Sequence, residues 1–486
     1  METLPRMRQI RMNLFRACDN PLILAFTLSL VSLAIFSAPE PDHPPDRYDA
    51  SQYLATALNI YNNGVFSEGD ASITGPATGR EPSYGFFLAA QMFLDKKLAS
   101  ITLSCLLSKD GCGKKHYGLS VFWNRVLIAA SGFFIFLSAF HLSKNRLLPA
   151  TVAGLYIWLN FESQKFVAYL ISDSLAMFLS ALLIWSIIWA NSRNSWLWWS
   201  LPGFTLAALI LTKAIFLYLI LVFAPLAIVF GLTSKTRRQN ILPAMLIFFL
   251  CCALPISAWV ARNVAVDDFW GITEGRNQIA VSVREIYNDI TFIEYCAGFV
   301  YWTRIKGDGL AHRLFPKETI GKLRHDTDDG FFRRGHQRVD ELVYEHMTSD
   351  DVPYKAASDE VKNQILKKIL GRPFKHLATT ALLAYRGMWI DQFAPLGAFA
   401  TLIILVTSAR QRRYIVLLAI TPGLFAFIFY PLISLNVPRY QMASLPALAL
   451  TVGLVIPMIH RMVLQLYNRS RVRLDGRAHS RLNSHK

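Results

Sequence analysis

Residues 214–232 read AIFLYLILVFAPLAIVFGL and contain no charged side chain. A helix of that length crosses the roughly 30 Å hydrocarbon core of a bilayer. Pro21–Ser37 and Met442–Ile459 are similarly apolar, and the chain of 486 residues is 53% hydrophobic with only 17% charged residues. Soluble proteins carry about 25% charged residues. The sequence therefore predicts an all-α polytopic membrane protein, and it argues against soluble enzymes and DNA-binding proteins.

The apolar runs predict about ten transmembrane helices, several of them shorter than the roughly 20 residues of a regular span. The predicted spans are 21–38, 119–142, 148–161, 174–190, 196–212, 214–232, 241–261, 395–409, 414–433 and 442–459. They divide the chain into a basic cytoplasmic N-terminus (1–20), the first span (21–38), a first outer loop (39–118), spans 2–7 (119–261), a large outer loop (262–394), spans 8–10 (395–459) and a basic cytoplasmic tail (460–486).

The distribution of charge predicts that both termini are cytoplasmic. Cytoplasmic segments of membrane proteins are rich in Lys and Arg. The two termini and the short inside loops of this arrangement hold 20 Lys and Arg residues against three acids, so their excess equals the formal net charge of +17. The basicity thus needs no nucleic-acid partner. We expect a bacterial inner membrane, with a retained first span and the outer loops in the periplasm.

Both outer segments are too long for simple connections. In the first, Ala50–Tyr61 and Tyr84–Phe93 have helical apolar spacing, which predicts amphipathic helices at the membrane surface. The second ends in another basic and apolar stretch, Val361–Trp389, interrupted at Arg372-Pro373. Cys105 and Cys112 lie in the first outer loop, where an oxidising compartment permits a disulfide. The alternative, that both thiols are unpaired, is given equal weight.

Asp49 and Tyr53 are four residues apart, so on the predicted helix they share one face. Partial desolvation beside the membrane can raise the pKa of a carboxylate, which suits a general base that takes a proton from a hydroxyl. The alternative makes Asp49 a helix-capping acid and Tyr53 an interfacial anchor. Capping acids are common, so the residues alone favour this alternative.

Several motifs, in order along residues 46–450, resemble the GT-C superfamily of polyprenyl-phosphate-sugar-dependent glycosyltransferases. The similarity is to the branch of protein O-mannosyltransferases, the lipid A aminoarabinose transferase and rhizobial galacturonosyltransferases. In the first outer loop it rests on Tyr48-Asp49-Ala-Ser-Gln-Tyr53, Gly64-Val-Phe66 and Arg80-Glu81-Pro82-Ser-Tyr84. Further along it rests on Leu170-Ile-Ser-Asp173, Leu209-Ile-Leu-Thr-Lys213, Trp259-Val-Ala-Arg262-Asn263 and Asn436-Val-Pro-Arg439-Tyr440.

The resemblance implies a GT-C-like fold and inverting transfer of a sugar from a polyprenyl-phosphate donor to a hydroxyl of a lipid, glycan or protein. The catalytic base is then Asp49 or Asp46, because the family's Asp-Glu pair is replaced here by Asp49-Ala50. Cations suit the phosphate of the donor. The candidate donor-phosphate or substrate-binding residues are Arg80, Glu81, Tyr53, Tyr84, Asp173, Lys213, Arg262, Asn263, Arg439 and Tyr440. For Lys213 and Arg439, snorkelling of the side chain to the interface is the alternative.

Two other functions remain open at this point. A flippase or transporter of lipid-linked sugars would place ionisable residues at mid-membrane in two related halves, whereas the polar residues here lie in outer loops. A lipid-linked glycan polymerase or ligase would use outer-loop Arg and His without an essential early aspartate. No cofactor is predicted, because the acidic run Asp326–Asp329 lacks the α/β pattern of a nucleotide-sugar site. A requirement for a divalent metal is left open.

Overall fold

The computed structural model describes residues 20–35, 45–69, 75–108, 111–193, 195–233, 238–275, 277–325, 327–350 and 352–460. These residues form helices and turns, and no strand occurs among them. The predicted all-α class is thus confirmed. Most of the predicted cytoplasmic N-terminus (1–19) and nearly all of the predicted tail (461–486) lie outside the described residues.

Up to residue 116 the helices are α1 (Pro21–Ile35), α2 (Asp49–Asn63), α3 (Pro82–Met92), α4 (Lys96–Ala99), α5 (Leu103–Leu107) and a 3-10 turn (Lys114–His116). The next are α6 (Gly118–Leu142), α7 (Leu147–Trp158), α8 (Phe161–Phe166), α9 (Asp173–Ser192), a 3-10 turn (Trp196–Trp199), α10 (Ser200–Thr212), a 3-10 turn (Ala214–Leu219), α11 (Ile220–Thr233) and α12 (Arg238–Asp267). The last are α13 (Asn277–Asn288), α14 (Phe292–Tyr301), α15 (Gly307–Leu314), α16 (Lys317–Leu323), α17 (Phe331–Asp350), α18 (Tyr354–Leu370), α19 (Pro373–Met388), α20 (Ala394–Arg410), α21 (Tyr414–Ile433) and α22 (Pro438–His460), which starts as a 3-10 turn.

Five helices of the described chain are long and apolar enough to cross a membrane, namely α6, α9, α12, α21 and α22. Each coincides with a predicted span. The other predicted spans correspond to shorter helices, and the segment 148–161 differs most. Its helix α7 has 12 residues, about 18 Å. Asn160 ends the run, because its side chain accepts a hydrogen bond from the Ser163 amide (2.7 Å) and caps the separate helix α8.

One face of α12 shows where the protein meets lipid. Leu242, Leu246, Leu250 and Leu254 repeat every fourth residue and are between 54% and 75% exposed. Residues at this spacing lie on one side of a helix. An apolar stripe of this length would be unfavourable in water and is favourable against hydrocarbon chains. The chain is accordingly a multi-pass integral membrane protein.

The outer-loop helices α2 and α3 bury one face in the protein. Tyr53 and Leu54 of α2, and Tyr84 and Leu88 of α3, are at most 3% exposed. The Tyr53 and Tyr84 rings meet edge to face, with centroids 5.2 Å apart. The predicted helices therefore exist, but their apolar residues pack on the transmembrane helices. This packing places Asp49, the first residue of α2, at the end of the helix bundle where α9 starts.

Trp158 fixes the contact between α6 and α7. Its indole N–H donates to the Ala129 carbonyl (3.0 Å), and its ring occupies the space beside Gly132. A Cβ at Gly132 would overlap the indole. The side chain at Trp158 is fully buried, so it has no free space into which to move.

We expect Gly132→Ala to destabilise the protein by about 1–3 kcal/mol, as overpacking of a dense core does. Thermal unfolding of the detergent-solubilised protein measures this as a lower Tm. Gly118→Ala, on the same helix with nothing within 4 Å of the added Cβ, is the matched control. Equal Tm values for the two variants would contradict the tight packing described here.

Candidate active site

Asp49 bridges two arginines from distant parts of the chain. Its Oδ1 accepts a hydrogen bond from Arg80 Nη2 (2.8 Å), and its Oδ2 accepts one from Arg439 Nη2 (2.7 Å). The residue before α2 is Tyr48, and no side chain caps the helix there. Asp49 therefore does not act as a capping acid. Its side chain is 31% exposed, so the carboxylate remains accessible to solvent.

Arg80 is held by three residues of α2. Besides the bond to Asp49, its Nε donates to Gln52 Oε1 (2.8 Å), and its guanidinium lies 5.3 Å from the centre of the Tyr53 ring. Tyr53 in turn shares a hydrogen bond with Ser172 Oγ (3.1 Å) and is buried. Tyr53 is thus not an interfacial anchor. It connects Arg80 to the start of α9.

A second ion pair lies in the same cluster. Lys213 Nζ is 3.0 Å from Asp173 Oδ1, and Asp173 is almost fully buried at the start of α9. The Ala214 amide next to Lys213 donates to Glu81 Oε1 (3.3 Å). Lys213 therefore makes a buried ion pair and does not extend away to the interface.

Aromatic rings close the side of the cluster formed by α21 and α22. The Arg439 guanidinium lies 5.4 Å from the centre of the Tyr440 ring. Tyr440 stacks on Tyr430, with ring centres 5.4 Å apart. Tyr84 lies behind Tyr53 and donates to Asn124 Oδ1 (3.3 Å), so it supports the cluster from within the core. Arg439 is consequently fixed by both a carboxylate and a ring.

Asp46 has a different environment from Asp49. It is 1% exposed, and its Oδ2 accepts hydrogen bonds from the Cys112 amide and the Tyr117 hydroxyl (2.7 Å each). Cys112 forms a disulfide with Cys105, with Cα atoms 5.0 Å apart. Asp46 thus binds the end of the disulfide-closed turn to the rest of the first outer loop.

Arg262 braces the first outer loop, and Asn263 braces the start of the large outer loop. Arg262 Nη1 donates to the Ala77 carbonyl (2.6 Å), and the guanidinium lies 4.9 Å from the Trp259 ring. Asn263 is buried and donates to the Gly271 and Ile272 carbonyls. Both side chains thus donate hydrogen bonds to backbone carbonyls, whereas Arg80, Lys213 and Arg439 form ion pairs with carboxylates.

The pKa of Asp49 differs from the sequence-based expectation. Burial alone would raise the pKa of the Asp49 carboxyl, but the charges of Arg439 and Arg80 outweigh burial and hold that pKa well below its usual range. The pKa of Asp49 is therefore lowered and not raised. Hydropathy alone does not reveal the two cations that cause this. Burial raises the pKa of Tyr53 to about 12, so this hydroxyl stays protonated at neutral pH.

The cluster also contains residues that sequence analysis did not select as site residues. Gln52 and Ser172 lie inside the quoted motifs, next to selected positions. Tyr430 lies in an apolar helix with no local signal for a site. Within the described part of the chain, no group of three or more His, Cys, Asp and Glu side chains is arranged to hold a metal ion.

Comparison with known proteins finds similarity among solved structures and none among family models or curated proteins. The chain is similar to the archaeal oligosaccharyltransferase AglB from Archaeoglobus fulgidus in complex with an inhibitory peptide and a dolichol-phosphate. The TM-score is 0.45 and the identity is 10%, over 93% of this chain and 51% of that chain. This chain therefore spans about half the length of that protein.

The low pKa of Asp49 makes a prediction about stability. A carboxyl whose native pKa lies below its unfolded value of about 3.9 stabilises the fold above that pH, and this contribution is lost as the pH falls toward the native pKa. We expect Asp49→Asn to lower the Tm at neutral pH, and the difference from wild type to shrink below about pH 4.

Thermal unfolding of both proteins across this pH range tests the prediction. Asp340→Asn, at an exposed carboxyl of α17, is the control and should follow wild type throughout. A Tm difference between wild type and Asp49→Asn that stays constant as the pH falls would show that the arginines do not hold the carboxyl in its charged form.

Proposed function

We propose that this protein is a GT-C-type membrane glycosyltransferase. It moves a sugar from a polyprenyl-phosphate donor to an acceptor hydroxyl on a lipid, glycan or protein, at the periplasmic face of a bacterial inner membrane. The observation that carries the proposal is the accessible carboxylate of Asp49 between Arg80 and Arg439. A candidate base and two candidate phosphate ligands are thereby in direct contact, in the segments whose motifs resemble the superfamily.

The three cations of the cluster suit the donor phosphate. Guanidinium groups bind phosphate oxygens through paired N–H donors, and Arg80 and Arg439 both present such groups beside Asp49. The leaving phosphate gains negative charge as its bond to the sugar breaks, so positioned cations stabilise that transition state. Lys213 adds a third positive charge, with Asp173 holding its ammonium group.

Asp49 is the base in this proposal. The acceptor oxygen forms a bond to the anomeric carbon while the bond from that carbon to the phosphate oxygen breaks. The electron pair of the broken bond leaves with the polyprenyl phosphate, and the hydroxyl proton passes to the Asp49 carboxylate. Attack from the side opposite the phosphate inverts the anomeric centre.

Donor binding also gives Asp49 the basicity that it lacks in the resting protein. A phosphate that takes hydrogen bonds from Arg80 and Arg439 reduces the positive field on the carboxylate, so the pKa of Asp49 rises. Asp46 is a weaker candidate for the base, since it is buried and already accepts hydrogen bonds from Cys112 and Tyr117.

We expect Asp49→Asn to lower kcat by about a hundredfold or more, because a general base contributes about 10²–10⁴-fold in rate. Arg439→Ala should chiefly weaken use of the donor, and Arg439→Lys should restore part of it. The assay measures release of polyprenyl phosphate from a panel of polyprenyl-monophosphate sugars, with crude envelope lipids as acceptor.

Asp46→Asn is the matched control in the same loop, with the folded fraction measured in parallel. Loss of release in Asp49→Asn alone would support Asp49 as the base. Loss in Asp46→Asn alone, at an equal folded fraction, would transfer that role to Asp46. Movement of intact lipid-linked sugar across vesicles without release would replace the transferase by a transporter. Full release by Asp49→Asn would contradict the mechanism.

A further inference from the structure

The loop that carries Arg439 belongs partly to the large outer segment. Leu435 is 4% exposed and packs with Val283, Tyr287 and Leu382 in the hydrophobic core of that segment. Four residues after Leu435, Arg439 reaches Asp49. The outer segment and the candidate active site are thus joined through a very short piece of chain.

Asn436 is the centre of this connection. It is fully buried, and its Nδ2 donates to the Leu383 carbonyl of α19 (2.8 Å). Its Oδ1 accepts a hydrogen bond from Gln441 Nε2 (2.7 Å), and Gln441 also donates to the Ala426 carbonyl of α21 (3.1 Å). One amide side chain therefore ties the loop to α19 and, through Gln441, to α21.

The backbone of Asn436 has a φ of 48°, a left-handed conformation that non-glycine residues rarely adopt. Asparagine tolerates this region better than most residues, at a cost that other interactions must offset. The hydrogen bonds to Leu383 and from Gln441 supply such interactions. This left-handed residue lies two positions before Pro438 and three before Arg439.

Gly387 lets α19 come close enough to make this contact. A Cβ added at Gly387 would overlap the Asn436 side chain, at both its nitrogen and its oxygen. The next residue toward the N-terminus, Arg386, is also buried and donates to the Tyr287 hydroxyl (2.9 Å) and the Leu435 carbonyl (3.5 Å). The end of α19 thus holds two consecutive loop residues.

Arg284 holds the loop at its other end. Its guanidinium is 1% exposed and donates to the Pro431 carbonyl near the end of α21 (3.1 Å) and to the His376 carbonyl of α19 (2.7 Å). Helices α13 and α19 of the outer segment therefore bind the chain at Pro431, at Leu435 and at Asn436, before it reaches Arg439. The path of this loop is set from outside the helix bundle.

We propose that the contact between Gly387 and Asn436 positions Arg439, so that the large outer segment sets the geometry with which Arg439 meets Asp49 and the donor phosphate. The inference rests on the proposed function for its reference to phosphate. Gly387 and Asn436 are positioning residues, because they act through Arg439. A displacement of α19 relative to the bundle moves this guanidinium.

The kinetic test uses Gly387→Ala, which pushes Asn436 away, and Asn436→Gly, which keeps the left-handed turn but removes both hydrogen bonds. We expect each to raise the KM for the polyprenyl-phosphate donor about tenfold, with a smaller change in kcat. In an Arg439→Ala background, neither should cause further loss of kcat/KM, because residues that act as a unit are not additive. An equal loss in both backgrounds would overturn the proposal.

Thermal unfolding supplies a test that needs no turnover. Arg439→Ala removes the ion pair with Asp49, so it should lower the Tm of wild type by more than it lowers the Tm of Gly387→Ala or Asn436→Gly. Strictly additive Tm changes would overturn the proposal. Gly309→Ala, where the added Cβ has nothing within 4 Å, is the control and should be additive.

The two arms separate the failure of this inference from that of the proposed function. If wild type releases polyprenyl phosphate from no donor, the transferase proposal fails, and the unfolding arm still decides whether Gly387 and Asn436 position Arg439. If wild type is active and the variants lose kcat/KM equally in both backgrounds, the positioning role fails while the transferase stands.

Discussion

The half-buried charge cluster at the end of the bundle where α9 starts constrains the rest of the structure. Three carboxylates, Asp49, Glu81 and Asp173, lie with three cations, Arg80, Lys213 and Arg439, in partly buried surroundings. An unpaired charge in such a place costs several kcal/mol. Each charge therefore needs a nearby partner, and the segments that carry them must converge. The starts of α2, α3 and α9, the end of α10 and the start of α22 all meet at this point.

The same pairing leaves both carboxylate oxygens of Asp49 bound to arginines. Two guanidinium groups keep the Asp49 carboxylate charged and weakly basic. A ligand that frees it must offer the arginines another anion, which a phosphate does and a neutral sugar does not. In the proposed reaction the donor therefore both supplies the leaving group and releases the base, so that an acceptor hydroxyl meets a competent carboxylate only when donor is bound.

Hydropathy predicted the all-α class and the five long apolar helices because the bilayer acts on every residue of a span in the same way. The helix in the segment 148–161 is shorter than predicted because Asn160 caps a new helix through a local hydrogen bond that average hydropathy does not reveal. The motifs selected Asp49, Arg80, Asp173, Lys213 and Arg439, yet no local pattern pairs residues 390 positions apart. The difference in environment between Asp46 and Asp49 likewise arises from burial and from bonds to a turn more than 60 residues away.

Asn436 illustrates why the remaining part of the site could not be predicted from the sequence. Asn436 has a left-handed backbone conformation and lies very close to Gly387. Neither property can be predicted from the sequence Asn-Val-Pro-Arg. Since α13 and α19 hold Pro431, Leu435 and Asn436, the large outer segment is connected through this short stretch of chain to the arginine that binds Asp49. If the proposed reaction holds, an acceptor that bound to this segment and moved α19 would also change how Arg439 contacts the donor phosphate.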